Sequence, residues 1–334
     1  STDFYSGVVM AIDSAKRLGI STKLDVFDTN ANSQNLNTIL KQSNIGDYDA
    51  ILGPITAKNL ELTTNYVQAK QVPVISPFVK SKKEYSNLFQ TIPEDIWLQN
   101  KMINYVKSDT IAHKTLIIYD SKNSDRANRL KLAFPLATLL TSNKNKEGEE
   151  QFYLMLKDVV AVLEEGRTYV FLETNNEGFV SNVTSMLNAM NGVTNIEGID
   201  GAKSTKIERE ITLMTTFKNR AFEGANVSNY DLSNLNFQYP SVNFDSTNLG
   251  VFGQQYLQQF GTFPTKYAIR GFDITMDVLL RLSKFGTLYP QTSDIQTAYL
   301  ENKFLYTLQP NGGYKNEAGY ILKYENLHIV KVLD

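Results

Sequence analysis

Four short runs constrain most of what this chain can fold into: "VPVISPF" (72–78), "KTLIIYD" (114–120), "TYVFLET" (168–174) and "ITLMTT" (211–216). Each is nearly continuously apolar where a half-exposed strand would alternate. Strands buried on both faces read this way, and they belong to parallel sheets covered by helices. Helical periodicity fills the gaps. Phe4, Val8, Ile12 and Ala15 recur at helix spacing, behind Thr2 or Asp3 as N-cap. "SQNLNTILKQ" and "AKNLELTTNYVQAKQ" read as helices, and "EDIWLQNKMINYVKS" sets Ile96, Asn100, Ile103 and Val106 near one face. "KLDVFDT" (23–29) and "DAILG" (49–53) read as further strands. The alternation predicts β-α-β units with right-handed crossovers.

In such a sheet, ligands bind outside the carboxyl ends of the strands. At Gly53-Pro54 a strand stops, and a helix starts near Thr56-Ala57, where free N–H groups can hold an oxygen-rich group. A neighbouring strand ends at Ser76-Pro77-Phe78 on the same edge. Two readings stand: the two ends form one wall of a pocket, or Gly53 and Pro54 only make a tight turn.

At 334 residues the chain has room for two domains. Lys and Arg number 33 against 35 Asp and Glu, which argues against a nucleic-acid partner. Cysteine is absent, excluding a disulfide scaffold, a thiol nucleophile and a Cys-ligated metal. No apolar run approaches the roughly 20 residues that span a bilayer.

The sequence shows no catalytic constellation, cofactor motif or metal-ligand spacing. His113 and His328 lie in unrelated contexts. "GIDGAKST" (198–205) departs from a phosphate loop because Ala202 separates Gly201 from Lys203, and it reads as a surface loop. Glu149-Glu150 and Glu164-Glu165 read as solvated carboxylates. Arg270 and Asp273, at i and i+3 on a helix, predict a local ion pair. "TSNKNKEGEE" (141–150) reads as a solvated loop where a strand is expected. "AGYILKYENLHIVKVL" predicts a hairpin turning at Glu325-Asn326.

Taken in order, "FYSGVVMAIDSAKRLG", "LDVFDTNANSQ", "DAILGPITAKN", "VPVISPF", "LFQTIPEDIWLQNKMINYV", "KTLIIYD", "YVFLETNNEGFVSNVTSML" and "FGQQYLQQFGTFPTKYAIRGFDITMDVLLRL" cover nearly the whole chain. Together they resemble the type 1 periplasmic binding proteins, the leucine/isoleucine/valine-binding group of ABC-transporter solute receptors. The richness in Asn, Lys and Tyr is similar to versions found in Bacteroidetes-type bacteria, often lipoproteins.

The resemblance implies an α/β fold of two doubly wound parallel-sheet lobes joined by a three-crossing hinge. Lobe 1 would hold 1–112 plus 243–300, and lobe 2 would hold 113–242 plus 301–334. Crossings are expected near 109–114, 239–245 and 300–310. It implies no enzyme activity, no cofactor and no metal. A cleft would close over a small polar molecule, with a membrane transporter as partner. The ligand-binding residues would be Thr56, Ala57, Ser76, Phe78, Lys80 and Tyr267 from the first lobe. From the second would come Tyr119, Asp120, Glu173, Thr174, Asn175 and Thr215, with Thr216 beside it. The alternative is a ligand-free envelope module that contacts a cell-wall component. Either way the expected location is the periplasm or cell envelope, with a lipid anchor ahead of residue 1.

Three departures are visible. The resemblance implies a strand ahead of Thr2, outside this sequence. Phe78 and Lys80 stand where the amino-acid receptors carry small and hydroxyl residues. Thr215-Thr216 stand where those receptors carry an acidic partner for the ligand's ammonium group. A neutral or anionic ligand is therefore expected.

Overall fold

The computed structural model describes residues 2–196, 205–246, 248–289, 295–310 and 312–332. The surface loop expected over 198–205 lies almost wholly outside them. The helices are α1 (Thr2–Arg17), α2 (Ser33–Gln42), α3 (Ala57–Val67), α4 (Asp95–Ser108), α5 (Ser124–Ala133), α6 (Leu156–Val160), α7 (Glu177–Met190), α8 (Asn229–Asn234), α9 (Gly250–Phe260) and α10 (Lys266–Phe285). The strands are β1 (Ile51–Leu52), β2 (Val74–Ser76), β3 (Leu88–Gln90), β4 (Lys114–Tyr119), β5 (Thr138–Thr141), β6 (Gly166–Glu173), β7 (Gly192–Ile196), β8 (Thr205–Met214) and β9 (Gln238–Ser241). After them come β10 (Thr297–Ala298), β11 (Lys303–Phe304), β12 (Tyr306–Leu308), β13 (Tyr314–Asn316), β14 (Tyr320–Glu325) and β15 (His328–Lys331).

Two compact units divide the chain: Ser1–Glu94 with Val242–Gly319, and Asp95–Ser241 with Tyr320–Asp334. The chain changes unit at 94–95, 241–242 and 319–320. The first and third changes differ from the expected crossings. Residues 95–112 fall in the second unit because α4 buries Met102, Ile103 and Val106 in a core with Ile117, Tyr169 and Phe171. Residues 306–316 fall in the first because β13 pairs in parallel with β3.

In the first unit the sheet runs β1-β2-β3-β13-β12, with β12 antiparallel. Phe4, Val8, Ile75, Phe89, Ile274 and Val278 share its core. Helices α1 and α10 pack backbone to backbone: a Cβ on Gly7 would lie 1.9 Å from the Ala268 carbonyl oxygen, and one on Gly271 would lie 2.2 Å from that of Phe4. Only glycine allows such an approach. Thr265 caps α10 by accepting the Ala268 N–H, and Gly286 ends it in the left-handed conformation.

"KLDVFDT" forms no strand. A strand exists through its neighbour's hydrogen bonds, and β1 pairs only with β2 among the described strands. Val26 is 57% and Phe27 41% exposed.

The second unit carries the order β15-β14-β9-β8-β6-β4-β5, with β7 also paired to β8. Strands β9, β8, β6, β4 and β5 are parallel. The apolar runs behave as read: Leu116, Ile117, Ile118, Val170, Phe171 and Leu172 are all buried. The strand expected near 140–150 lies just upstream, as β5. The run 141–150 itself folds back, with the Gln151 N–H donating to the Asn143 carbonyl and Lys144 bridged to Glu150. The terminal hairpin is β14–β15, turning at Asn326 and Leu327 with φ of 50° and 65°.

Candidate functional site

In the second unit the register sets Tyr119 opposite Glu173 and Phe171 opposite Met214. The carboxyl ends of β4, β6 and β8 therefore lie side by side, which gathers Tyr119, Asp120, Glu173, Thr174, Asn175, Thr215 and Thr216. Most of these look inward. Asp120 accepts the Asn123 N–H at 3.1 Å and its amide at 2.8 Å on one oxygen, and the Thr174 hydroxyl at 2.5 Å on the other. Thr174 in turn accepts the Asn176 N–H at 3.0 Å. Thr215 and Thr216 are buried.

Glu173 is wholly buried. Its Oε1 accepts the Thr216 N–H at 2.6 Å, while its Oε2 and the Thr216 hydroxyl have no hydrogen-bond partner among the described residues. Desolvation pushes its carboxyl up to about 7; the hydrogen bond from the Thr216 N–H and the charge of Arg126 oppose this.

The outward face has other members. Asn175 is exposed and accepts from the Asn219 amide at 2.9 Å. Tyr119 is half-buried. The Arg126 guanidinium stacks 4.3 Å from the centre of the Phe217 ring. The Glu150 carboxylate accepts the Ser121 N–H at 2.8 Å, the Ser121 hydroxyl at 2.5 Å and the Ser142 hydroxyl. Its pKa is lowered overall: burial opposes the shift, but the serine hydrogen bonds and Lys144 outweigh it. The chain's own carboxylate thus sits on the turn that follows β4. Sequence reading missed Arg126, Glu150, Phe217 and Asn219. Phe217 was within reach, since it directly follows Thr216; the other three arrive from separate elements.

In the first unit the Gly53 N–H donates to the Ile75 carbonyl at 2.8 Å, so the ends of β1 and β2 are neighbours. The Gly53-Pro54 peptide is cis. Thr56 precedes α3 without a side-chain cap bond, and Ala57 is exposed. Ser76 is fully buried and donates to the Val79 carbonyl. Phe78 packs edge-on between Phe4 (5.2 Å) and Tyr267 (5.8 Å). Lys80 Nζ lies 3.9 Å from Glu94, which Lys315 also approaches at 3.5 Å.

The expected Arg270–Asp273 ion pair is replaced by a relay. Arg270 donates to the Pro77 carbonyl (2.6 Å), Asn302 Oδ1 (2.7 Å) and the Thr91 hydroxyl (2.8 Å). The Asn302 amide donates to Asp273 Oδ2 at 2.8 Å, and the N–H groups of Leu300, Glu301 and Asn302 complete its shell. One helix face carries both charges, but each is drawn to a different loop. Burial lowers Arg270 to about 10, so it stays cationic at neutral pH.

No family model matches this chain, and no curated protein matches it. Solved structures do. A branched-chain amino acid ABC transporter protein from Rhodospirillum rubrum superposes with a TM-score of 0.61 at 12% identity, covering 99% of this chain and 94% of its own. A branched-chain amino acid ABC transporter periplasmic ligand-binding protein from Burkholderia xenovorans gives 0.56 at 12%, covering 99% and 90%. The fold is that of the type 1 periplasmic binding proteins. The C-domain of LpoA from Haemophilus influenzae, a regulator of PBP1A, shares it with a TM-score of 0.52 at 15% identity, covering 99% and 96%. At such identities the likeness is one of fold.

Among the described residues no three His, Asp or Glu side chains are grouped to hold a metal ion, and no helix is long and apolar enough to cross a membrane.

Proposed function

We propose that this chain is a non-catalytic, extracytoplasmic binding protein for a small polar ligand, serving as the solute receptor of an ABC-type transporter. The observation that carries the reading is the type 1 fold over 99% of the chain, with polar side chains collected at the carboxyl ends of the parallel strands. Location in the periplasm or cell envelope, a lipid anchor and the Bacteroidetes-type affinity belong to the same proposal.

On this reading each unit offers its own exposed or half-buried members to ligand: Tyr119 and Asn175 in the second, and Thr56, Ala57, Phe78, Lys80 and Tyr267 in the first. The buried ones, Ser76, Asp120, Glu173, Thr174 and Thr215, hold the strand ends in place. Arg270 has no direct carboxylate partner among the described residues and Thr215-Thr216 supply no negative charge, so the ligand is neutral or anionic. An ammonium group buried against Thr215-Thr216 would find no counter-charge from that pair. Leucine, isoleucine and valine bind weakly or not at all.

A second reading has its own observation. Asp120 and Thr174 bond each other and Glu150 covers Ser121, leaving the second unit's strand ends largely self-satisfied. That suits a ligand-free cell-envelope interaction module, and the LpoA C-domain has the same fold.

A thermal-shift screen of amino acids, sugars, nucleosides and peptidoglycan fragments tests the choice. A ligand at about 100 times its dissociation constant stabilises the fold by about 2.7 kcal/mol. Silence across the panel favours the second reading, and micromolar binding of a branched-chain amino acid overturns the charge argument.

A further inference from the structure

Among the described strands, β5 is the outer strand of the second unit's sheet, bonded on one side only, to β4. The Ser142 N–H reaches back to the Tyr119 carbonyl at 3.1 Å. Backbone direction alternates along a strand, so Leu140 and Thr138 also point toward β4. The N–H and C=O groups of Leu139 and Thr141 then point outward, where no described strand lies.

Folded proteins usually blunt such an edge with charge, proline or a cover. This one, Thr-Leu-Leu-Thr, carries none of these. The stretch that leads into it carries Leu132, 82% exposed, and Leu136, 99% exposed, the most exposed large apolar side chains among the described residues. Lys131, in the last turn of α5, does not guard the edge: its Nζ is turned back onto the carbonyls of Pro135 (2.8 Å) and Ala137 (2.7 Å).

We propose that β5 is the pairing edge of a two-fold homodimer, in which β5 strands from two copies run antiparallel. The backbone geometry suits a second copy. Antiparallel pairing requires opposed residues to point at each other, so the two-fold axis passes at a residue and not between two. With the axis at Leu140, Leu139 of each copy exchanges both backbone bonds with Thr141 of the other. The two Leu140 side chains then meet in the close, non-hydrogen-bonded position, a favourable apolar cross-strand pair.

The charges are complementary in the same arrangement. Antiparallel pairing brings the C-terminal end of α5 in one copy beside the segment after β5 in the other. The last turns of α5 are basic, with Arg129 and Lys131. Segment 143–151 is net acidic, with Glu147, Glu149 and Glu150 against Lys144 and Lys146. Each copy supplies both partners, so the contact closes on itself, as a two-fold interface must.

Sedimentation equilibrium decides it, with loading from about 1 μM to about 1 mM. The expected result is a mass that climbs from 37.7 kDa toward twice that value with concentration, and less steeply at high salt. Thr141→Pro removes an N–H that pairs only in the dimer, and edge strands tolerate proline. It should weaken association by at least about tenfold with unchanged melting at low concentration. Should that variant melt early, the double substitution Leu132→Glu, Leu136→Glu, on exposed side chains, gives the same test. A wild-type chain that stays monomeric throughout, or a dimer indifferent to the decisive variant, overturns the proposal.

Discussion

Glu173, at the end of β6, accepts the Thr216 N–H with one buried oxygen and leaves the other without a partner among the described residues. This couples stability to pH. Its folded pKa of about 7 stands above the ordinary carboxylate value of 4.5, so the folded state holds the proton more tightly. The associated stability is present below pH 4.5 and is lost as pH rises through 7, by about 3 kcal/mol in all. Glu173→Gln keeps an acceptor for Thr216 and adds a donor. It should melt higher than wild type at pH 8 and equal it near pH 4. Melting curves that stay parallel across this range would count against the assignment.

Glu301 repeats the pattern in the first unit. It is buried, accepts the Ser246 N–H at 3.2 Å, and is raised to about 7 by desolvation and by the nearby carboxylates of Asp245 and Asp273. Glu301→Gln should remove a second part of the pH dependence in the same direction. The two sites lie in different units, so their effects should add. Melting of the double variant at pH 5 and pH 8 checks this: the gap should be smaller than in either single variant.

Arg270 ties the ends of β2 and β3 to Asn302. Arg270→Lys cannot reach three acceptors in three directions, so it leaves buried acceptors unpaired and should cost about 2 kcal/mol. Urea denaturation would show a lower midpoint with an unchanged slope. A loss below about 0.5 kcal/mol would mean that the relay carries little of the stability.

Gly7→Ala drives a methyl group into the Ala268 carbonyl, so it should cost about 1–3 kcal/mol or more. Gly253→Ala in α9 is the control. Its new Cβ meets only Leu249 Cβ, at 3.1 Å, and alanine's helix propensity offsets that contact by up to about 1 kcal/mol. Equal losses in the two variants would contradict the close helix crossing.

The buried parallel strands were legible because burial on both faces leaves a run such as "TYVFLET" no polar position until it ends. "KLDVFDT" looked similar and formed no strand, because a ladder needs a neighbour that composition cannot report. Strand ends were legible as places, which is how Tyr119, Glu173 and Thr215 were gathered. Their orientation was not. Asp120 turns inward because Thr174 and Asn123 come to it, and neither contact follows from spacing. Asn302, 29 residues beyond Asp273, was equally invisible, so the spacing of Arg270 and Asp273 suggested a pair that the fold does not make.

The central claim, that the chain binds a small polar ligand, meets its most direct test in mass spectrometry of the small molecules released when the purified protein is unfolded. The account predicts one polar, neutral or anionic compound in near-stoichiometric amount, whose return restores the melting temperature. It also predicts that Asn175→Ala weakens retention without unfolding the protein. Release of no compound, with no melting shift from any member of the ligand panel, would contradict the account.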